Sequence, residues 1–165
     1  MRYKQSLACL AAVLLALACF RPSFSYAWPG KVQRIVDGDT LYISDRGGVE
    51  HRIRLYGVDC PEKGQPEGEN ALEAATRFAA GYLLEVQELR RDRNGRTIAV
   101  VTMPDGMTMQ EMLLVYGLAW IDERYCRRPE CEAWRLLEQA ARLSGRGIWS
   151  TPNPIVPWSW RRGKR

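Results

Sequence analysis

The stretch Ile53-Arg-Leu-Tyr-Gly-Val-Asp-Cys-Pro-Glu62 begins as a strand and ends as a site. Ile53, Tyr56 and Val58 favour extended backbone and Leu55 is apolar, whereas Gly57 and Pro61 interrupt a strand. A side-chain period of two sets Ile53 and Leu55 on one face and Arg52, Arg54 and Tyr56 on the other. Arg54 therefore projects away from the core-facing pair. Asp59 and Glu62 fall where the ladder is expected to end and main-chain carbonyls are released from pairing. A core needs neither the cation nor the two carboxylates, but a site that holds a metal ion beside a phosphate uses all three.

Upstream, Val36-Asp37-Gly38-Asp39-Thr40 carries the Asp-Gly signal of a tight turn between two apolar runs. A turn needs only one aspartate. If the hairpin brings Asp37, Asp39 and Asp59 to one end of a sheet, they form an oxygen-rich cluster of the kind that hard cations such as Ca²⁺ select. Strands are predicted at 31–36, 41–44 and 49–56, then at 85–89 and 97–103, with turns at 45–48 and 90–96. A helix over 69–84 would bury Ala71, Leu72, Ala75, Phe78, Ala79 and Tyr82, and two more are predicted at 109–116 and 130–143. Five short strands, one helix between the third and fourth and two after the fifth predict an α+β, mainly β fold: a five-stranded OB barrel with three helices. His51 is the sole histidine and reads as a half-buried rim residue, which argues against a zinc site and against histidine-based chemistry.

Asp37-Gly-Asp-Thr40, Arg54-Leu-Tyr-Gly-Val-Asp-Cys-Pro-Glu62 and Asp92-Arg-Asn-Gly-Arg96 resemble, in order and spacing, the three signature blocks of the staphylococcal-nuclease-like (thermonuclease) family. The resemblance covers about residues 31–149 and implies the same barrel. It implies that Asp39, Asp59 and the main-chain carbonyl of Cys60 hold one Ca²⁺, with Asp37 acting through water. It assigns Glu62 to deprotonating or positioning the attacking water, and Arg54 and Arg96 to gripping the phosphate. Arg93 and Tyr125 are the candidate nucleic-acid contacts. Asn94 stands where the family often has tyrosine, and Glu123 occupies one of two positions that can offer a tyrosine to the nucleotide. The implied activity is calcium-dependent hydrolysis of DNA or RNA, leaving 3′-phosphates. The rivals are a non-catalytic OB-type nucleic-acid-binding module and a secreted structural domain stabilised by Ca²⁺. The first has no need of the full set Asp39, Arg54, Asp59, Glu62 and Arg96, and the second leaves Glu62 and Arg96 without a task.

The N-terminus reads as a secretory signal: Arg2 and Lys4 precede an apolar run over 7–20, and Ser25-Tyr-Ala27 offers small residues to a peptidase. The run is short for a membrane span, although an uncleaved anchor is the alternative. Cleavage after Ala27 would release a secreted or periplasmic chain, by default a monomer without stable membrane association. It would leave 138 of the 165 residues, enough for one domain over 28–151 and a tail over 152–165. Loss of Arg2, Lys4 and Arg21 takes the formal charge from +5 to +2, so overall charge is a weak argument for a nucleic-acid partner. The preference for arginine says more, since lysine occurs only at 4, 31, 63 and 164 and the arginine fork fits phosphate oxygens in pairs. A GC-rich genome explains that bias equally well.

Cys126 and Cys131 are close enough in sequence for a local disulfide in an oxidising compartment. Cys60 reads as a small buried filler, or alternatively as a redox-sensitive thiol. In the tail, Trp158 and Trp160 either stack on bases or pack on the barrel, and Arg161, Arg162, Lys164 and Arg165 read as a solvated end.

Overall fold

The computed structural model describes residues 27–163; residues 1–26, where the secretory signal is expected, and Lys164 and Arg165 lie outside the described residues. Five strands close into a barrel: β1 (Ala27–Asp37), β2 (Thr40–Ser44), β3 (Glu50–Leu55), β5 (Leu83–Arg91) and β6 (Thr97–Thr102), in the order β1-β2-β3-β6-β5. β1 closes it by pairing twice, its first residues with β5 and its remainder with β2. Register shifts between Val32 and Arg34 and between Ile35 and Asp37 bend the strand enough to serve both neighbours. β1 starts earlier than its sequence pattern suggests, because Pro29 and Gly30 weaken strand propensity. Gly30 is needed there: a Cβ would come within 2.3 Å of Ile43.

The core follows the period-two pattern. Leu41 and Ile43, Ile53 and Leu55, Leu84 and Val86, and Ala99 and Val101 all point inward and are buried. Each large aliphatic side chain among them contributes about 1.5–3 kcal/mol of burial free energy. α1 (Gly68–Ala79) lays Ala71, Ala75 and Ala79 against the barrel at helical spacing. These small side chains let the helix approach β1 and α2 (Met109–Val115) closely. Thr108 and Glu111 form a capping box that starts α2. α3 (Glu130–Leu143) buries Cys131, Trp134 and Ala141. Cys126 and Cys131 are joined by a disulfide at its entry. Gly145 and Gly147 follow α3, and the chain folds back so that Ile148 is buried and the Trp149 ring lies 5.4 Å from that of Trp120.

Several expectations need correction. The helix expected to reach residue 84 ends at Ala79; Gly81 takes a left-handed conformation, and Leu83 and Leu84 belong to β5. Tyr82 is exposed in the link between helix and strand and Leu72 is only half-buried within the helix, so the buried stripe is narrower and shorter than expected. The barrel ladder ends at Leu55, before the Tyr56-Gly57 turn, as expected, but pairing resumes directly after it. Val58–Asp59 forms β4, which pairs with β7 (Trp120–Ile121), a separate two-stranded sheet formed across a long sequence separation. The described residues contain four helices, not three, because the tail folds as α4 (Pro157–Gly163). Among the described residues no helix is long and apolar enough to cross a membrane. His51 is half-buried on the barrel rim, 2.9 Å from Asp45 and against the Trp28 ring. That contact holds the Asp45 carboxyl below its ordinary range.

Candidate active site

The hairpin between β1 and β2 and the segment after β3 meet at one end of the barrel. Gly38 makes this possible: a Cβ there would lie 2.7 Å from both Cβ and Sγ of Cys60. The turn therefore rests directly on Cys60, and Asp39 is fastened to both ends of the neighbouring stretch. Its carbonyl accepts the Leu55 N–H at 2.9 Å and its Oδ2 accepts the Cys60 N–H at 2.7 Å. The Asp39 N–H in turn donates to Oδ1 of Asp37 at 3.1 Å. Burial pushes the Asp37 carboxyl above its ordinary range, against the lowering pull of Arg54. Cys60 is free and buried, and burial likewise pushes its thiol well up.

Arg54 leaves β3 on the face opposite Ile53 and Leu55 and joins two buried carboxylates. One end of its guanidinium pairs with Asp39, and Nη2 donates to Oδ1 of Asp59 at 2.6 Å. Asp39 is 5% exposed and Asp59 fully buried, so each depends on such partners. Tyr56, expected to share the outward face, is buried, because α3 covers it. Its hydroxyl accepts N–H bonds from Arg127 at 2.8 Å and Arg128 at 3.2 Å.

Glu62 is held by Gln65, whose Oε1 accepts the Glu62 N–H at 3.0 Å. Gln65 is buried and its Nε2 donates to the Ile155 carbonyl, tying the site loop to the C-terminal segment. From that segment Arg161 reaches back, with Nη2 donating to Oδ2 of Asp59 at 2.7 Å and Nη1 donating to Glu62. The solvated end expected for this part of the tail is thus wrong for Arg161. The carboxylates, Asp59 first, hold its guanidinium still more firmly protonated. Neither Gln65 nor Arg161 carries a sequence signal. One sits in a Gly- and Pro-containing loop and the other in a run of like charge, and each acquires its partner only in the folded chain.

Arg96 is not part of this hydrogen-bonded cluster. It lies one residue before β6, two residues from Ile98, the strand partner of Arg54. Its Nε donates to Oδ2 of Asp92 at 2.8 Å and its N–H to Oδ1 at 2.9 Å. Burial raises the Asp92 carboxyl, but these bonds outweigh it and hold it below the ordinary range. Arg93 is exposed on the same turn, and Tyr125 is exposed after β7 with Arg124 over its ring. Glu123 is engaged by Arg135 through two bonds of 2.9 and 2.7 Å.

The donors at the cluster fit a hard divalent cation. They are carboxylate oxygens, and two of these, on Asp39 and Asp59, already converge on one positive group. Among the described residues no three acidic, histidine or cysteine side chains converge as a ready cage. Main-chain carbonyls and water would complete the shell, as Ca²⁺ commonly accepts.

A family model described as staphylococcal nuclease homologue matches residues 52–151. An uncharacterized endonuclease of Escherichia coli O157:H7 is 37% identical over 149 residues, covering 86% of this chain and 94% of that protein. Micrococcal nuclease of Shigella flexneri is 33% identical over 172 residues, covering 98% and 97% of the two chains. A probable staphylococcal-like nuclease, CAN1, of Oryza sativa subsp. japonica is 39% identical over 141 residues, covering 82% of this chain and 41% of its own length.

Proposed function

The chain belongs to the staphylococcal nuclease family, and we propose that it is a secreted or periplasmic, calcium-dependent nuclease built on an OB barrel. It hydrolyses phosphodiester bonds of DNA or RNA and leaves 3′-phosphates. The observation that carries this reading is the cluster in which Arg54 joins the buried carboxylates of Asp39 and Asp59 within reach of the Glu62 loop. A module that only bound nucleic acid would have no use for two buried acids, which cost several kcal/mol each to desolvate.

Asp39, Asp59 and the Cys60 carbonyl would hold the Ca²⁺, with Asp37 contributing through water. The ion, when bound, supplies positive charge that offsets the scissile phosphate and orients a water. Glu62 positions that water and takes its proton as the oxygen attacks phosphorus. The bond from phosphorus to the 5′-oxygen breaks, the leaving oxygen takes a proton from solvent water, and the phosphate stays on the 3′ side. Arg54 and Arg96 donate N–H bonds to the phosphate oxygens, more strongly as charge accumulates in the transition state. Arg93 and Tyr125 are placed to contact flanking nucleotides. Residues 1–27 act as the cleaved signal, and the mature protein is a monomer.

Digestion of single-stranded DNA, duplex DNA and RNA by residues 28–165, with Ca²⁺ and with EGTA, tests the proposal. Cleavage is expected only with Ca²⁺, and Glu62→Gln is expected to slow it by about 10²-fold or more. Folded protein that binds without cutting would replace the nuclease by a binding module. Arg96→Lys should lose most of the activity, because an ammonium cannot reproduce the guanidinium fork. Its stability should fall by no more than about 1 kcal/mol, since the pair with Asp92 is partly solvated and lysine keeps the charge. Turnover near that of the unmodified protein, measured beside a melting curve, would remove Arg96 from the phosphate grip.

A further inference from the structure

The C-terminal helix α4 is docked on the site, and its docking consumes the groups that the site needs. Gln65 holds the chain at Ile155, Pro157 is buried, and the Trp158 ring lies under Arg124 at 5.3 Å. Arg161 then spans Asp59 and Glu62. Oδ2 of Asp59 accepts from Arg161 at 2.7 Å, and Oδ1 accepts from Arg54 at 2.6 Å and from Arg161 at 3.2 Å. Both oxygens of Asp59 are thereby capped by N–H donors, and Glu62 spends an oxygen on the same guanidinium.

The two arginines differ in how easily they could leave. Arg54 is anchored in a central strand of the barrel, with a side chain 14% exposed. Arg161 comes from a seven-residue terminal helix, its side chain is 41% exposed, and the exposed Pro152 and Asn153 lie in the segment leading to it. Charge gives the same ordering. Asp39, Asp59 and Glu62 face Arg54 and Arg161, and Asp37 lies beside Arg54; without Arg161 the three acids that the arginines bridge exceed the remaining guanidinium by two charges, which is what a divalent cation carries.

We propose that α4 is a tethered competitor of the metal, with Arg161 occupying in cis the place at Asp59 and Glu62 that the cation and the attacking water require. The site is closed while the arm is down and opens when Arg161 lifts. This rests on the calcium-dependent reading above and adds to it a control of metal affinity built into the same chain. An arm that is down about nine-tenths of the time weakens apparent Ca²⁺ affinity about tenfold.

The test is calorimetric titration of Ca²⁺ into residues 28–165, unmodified and as Arg161→Gln, at fixed ionic strength. Amide hydrogen exchange over 155–163 is followed with and without Ca²⁺, and melting curves confirm that both proteins are folded. Arg161→Gln is expected to bind Ca²⁺ about tenfold more tightly, and Ca²⁺ is expected to accelerate exchange in α4 of the unmodified protein. Equal or weaker Ca²⁺ affinity in the variant, with α4 exchange unmoved by Ca²⁺, overturns the arm while leaving the nuclease intact. If cleavage at saturating Ca²⁺ also falls, Arg161 is a phosphate contact instead. Absence of Ca²⁺ binding in both folded proteins removes the metal reading and the arm together.

Discussion

Arg54→Gln is expected to lower cleavage by on the order of 10³-fold and, in the absence of Ca²⁺, to destabilise the fold by about 3 kcal/mol. Both effects come from one guanidinium. Its N–H groups join Asp39 and Asp59, which are 6% and 1% exposed at the side chain. Glutamine is neutral and shorter, so the variant keeps two carboxylates in a dry pocket with one charge fewer to oppose them. Breaking a buried pair from one side costs far more than the pair itself contributes, because the orphaned charge cannot return to water. For a domain of this size the loss corresponds to a fall of about 10 °C in melting temperature. Calcium should then stabilise the variant more than the unmodified protein, because a cation on Asp39 and Asp59 supplies the missing charge. Melting curves with Ca²⁺ and with EGTA, beside turnover at saturating Ca²⁺, read all three effects. A variant that melts like its parent in EGTA would show that the two aspartates do not depend on Arg54.

The largest effect expected on stability alone is that of Gly57→Ala, about 3 kcal/mol. Gly57 ends the strand that carries Arg54 and has φ +75°, where an alanine pays about 1–2 kcal/mol. The new Cβ would also lie 2.6 Å from Sγ of Cys126 and 3.2 Å from the ring of Trp134. Neither neighbour yields readily: Cys126 is bonded to Cys131, and Trp134 is buried in the face of α3. The Gly57 carbonyl accepts the Asp122 N–H at 2.9 Å, so displacement here also disturbs the β4–β7 pairing that seats Asp59. Urea unfolding of Gly57→Ala, alone and in a Cys126→Ala, Cys131→Ala background, separates the two causes. Removing the disulfide should relieve the clash and leave the backbone penalty, so the two changes should be non-additive. A fully additive cycle would place the whole cost in the backbone.

Alternation alone made the barrel legible. Leu41 with Ile43 and Ile53 with Leu55 each repeat at two residues, and a half-buried sheet leaves few other ways to satisfy them. Where local preferences conflicted, the sequence was a poorer guide. Tyr82, Leu83 and Leu84 fit the apolar spacing of a continuing helix as well as the start of a strand, and only the free edge of β1 decided in favour of β5. Pro29 and Gly30 argued locally against a strand, yet the closing barrel recruited them into β1.

The sequence by itself determined the strand-rich class, the inward residues of each strand, the Asp-Gly turn, and the three short blocks whose acids and arginines suggest phosphodiester chemistry. These features are local, or depend on burying one face of each element. The tertiary structure decided which charges meet. The approach of Asp39 to Cys60 across the flat face of Gly38, the pairing of β4 with β7, the support of Glu62 by Gln65, and the return of Arg161 to Asp59 and Glu62 all join distant residues. Such contacts leave no periodic mark in a sequence. A charged side chain finds its partner only after the backbone has closed and water has been excluded, and the cost of leaving a buried carboxylate unpaired then selects the guanidinium within reach.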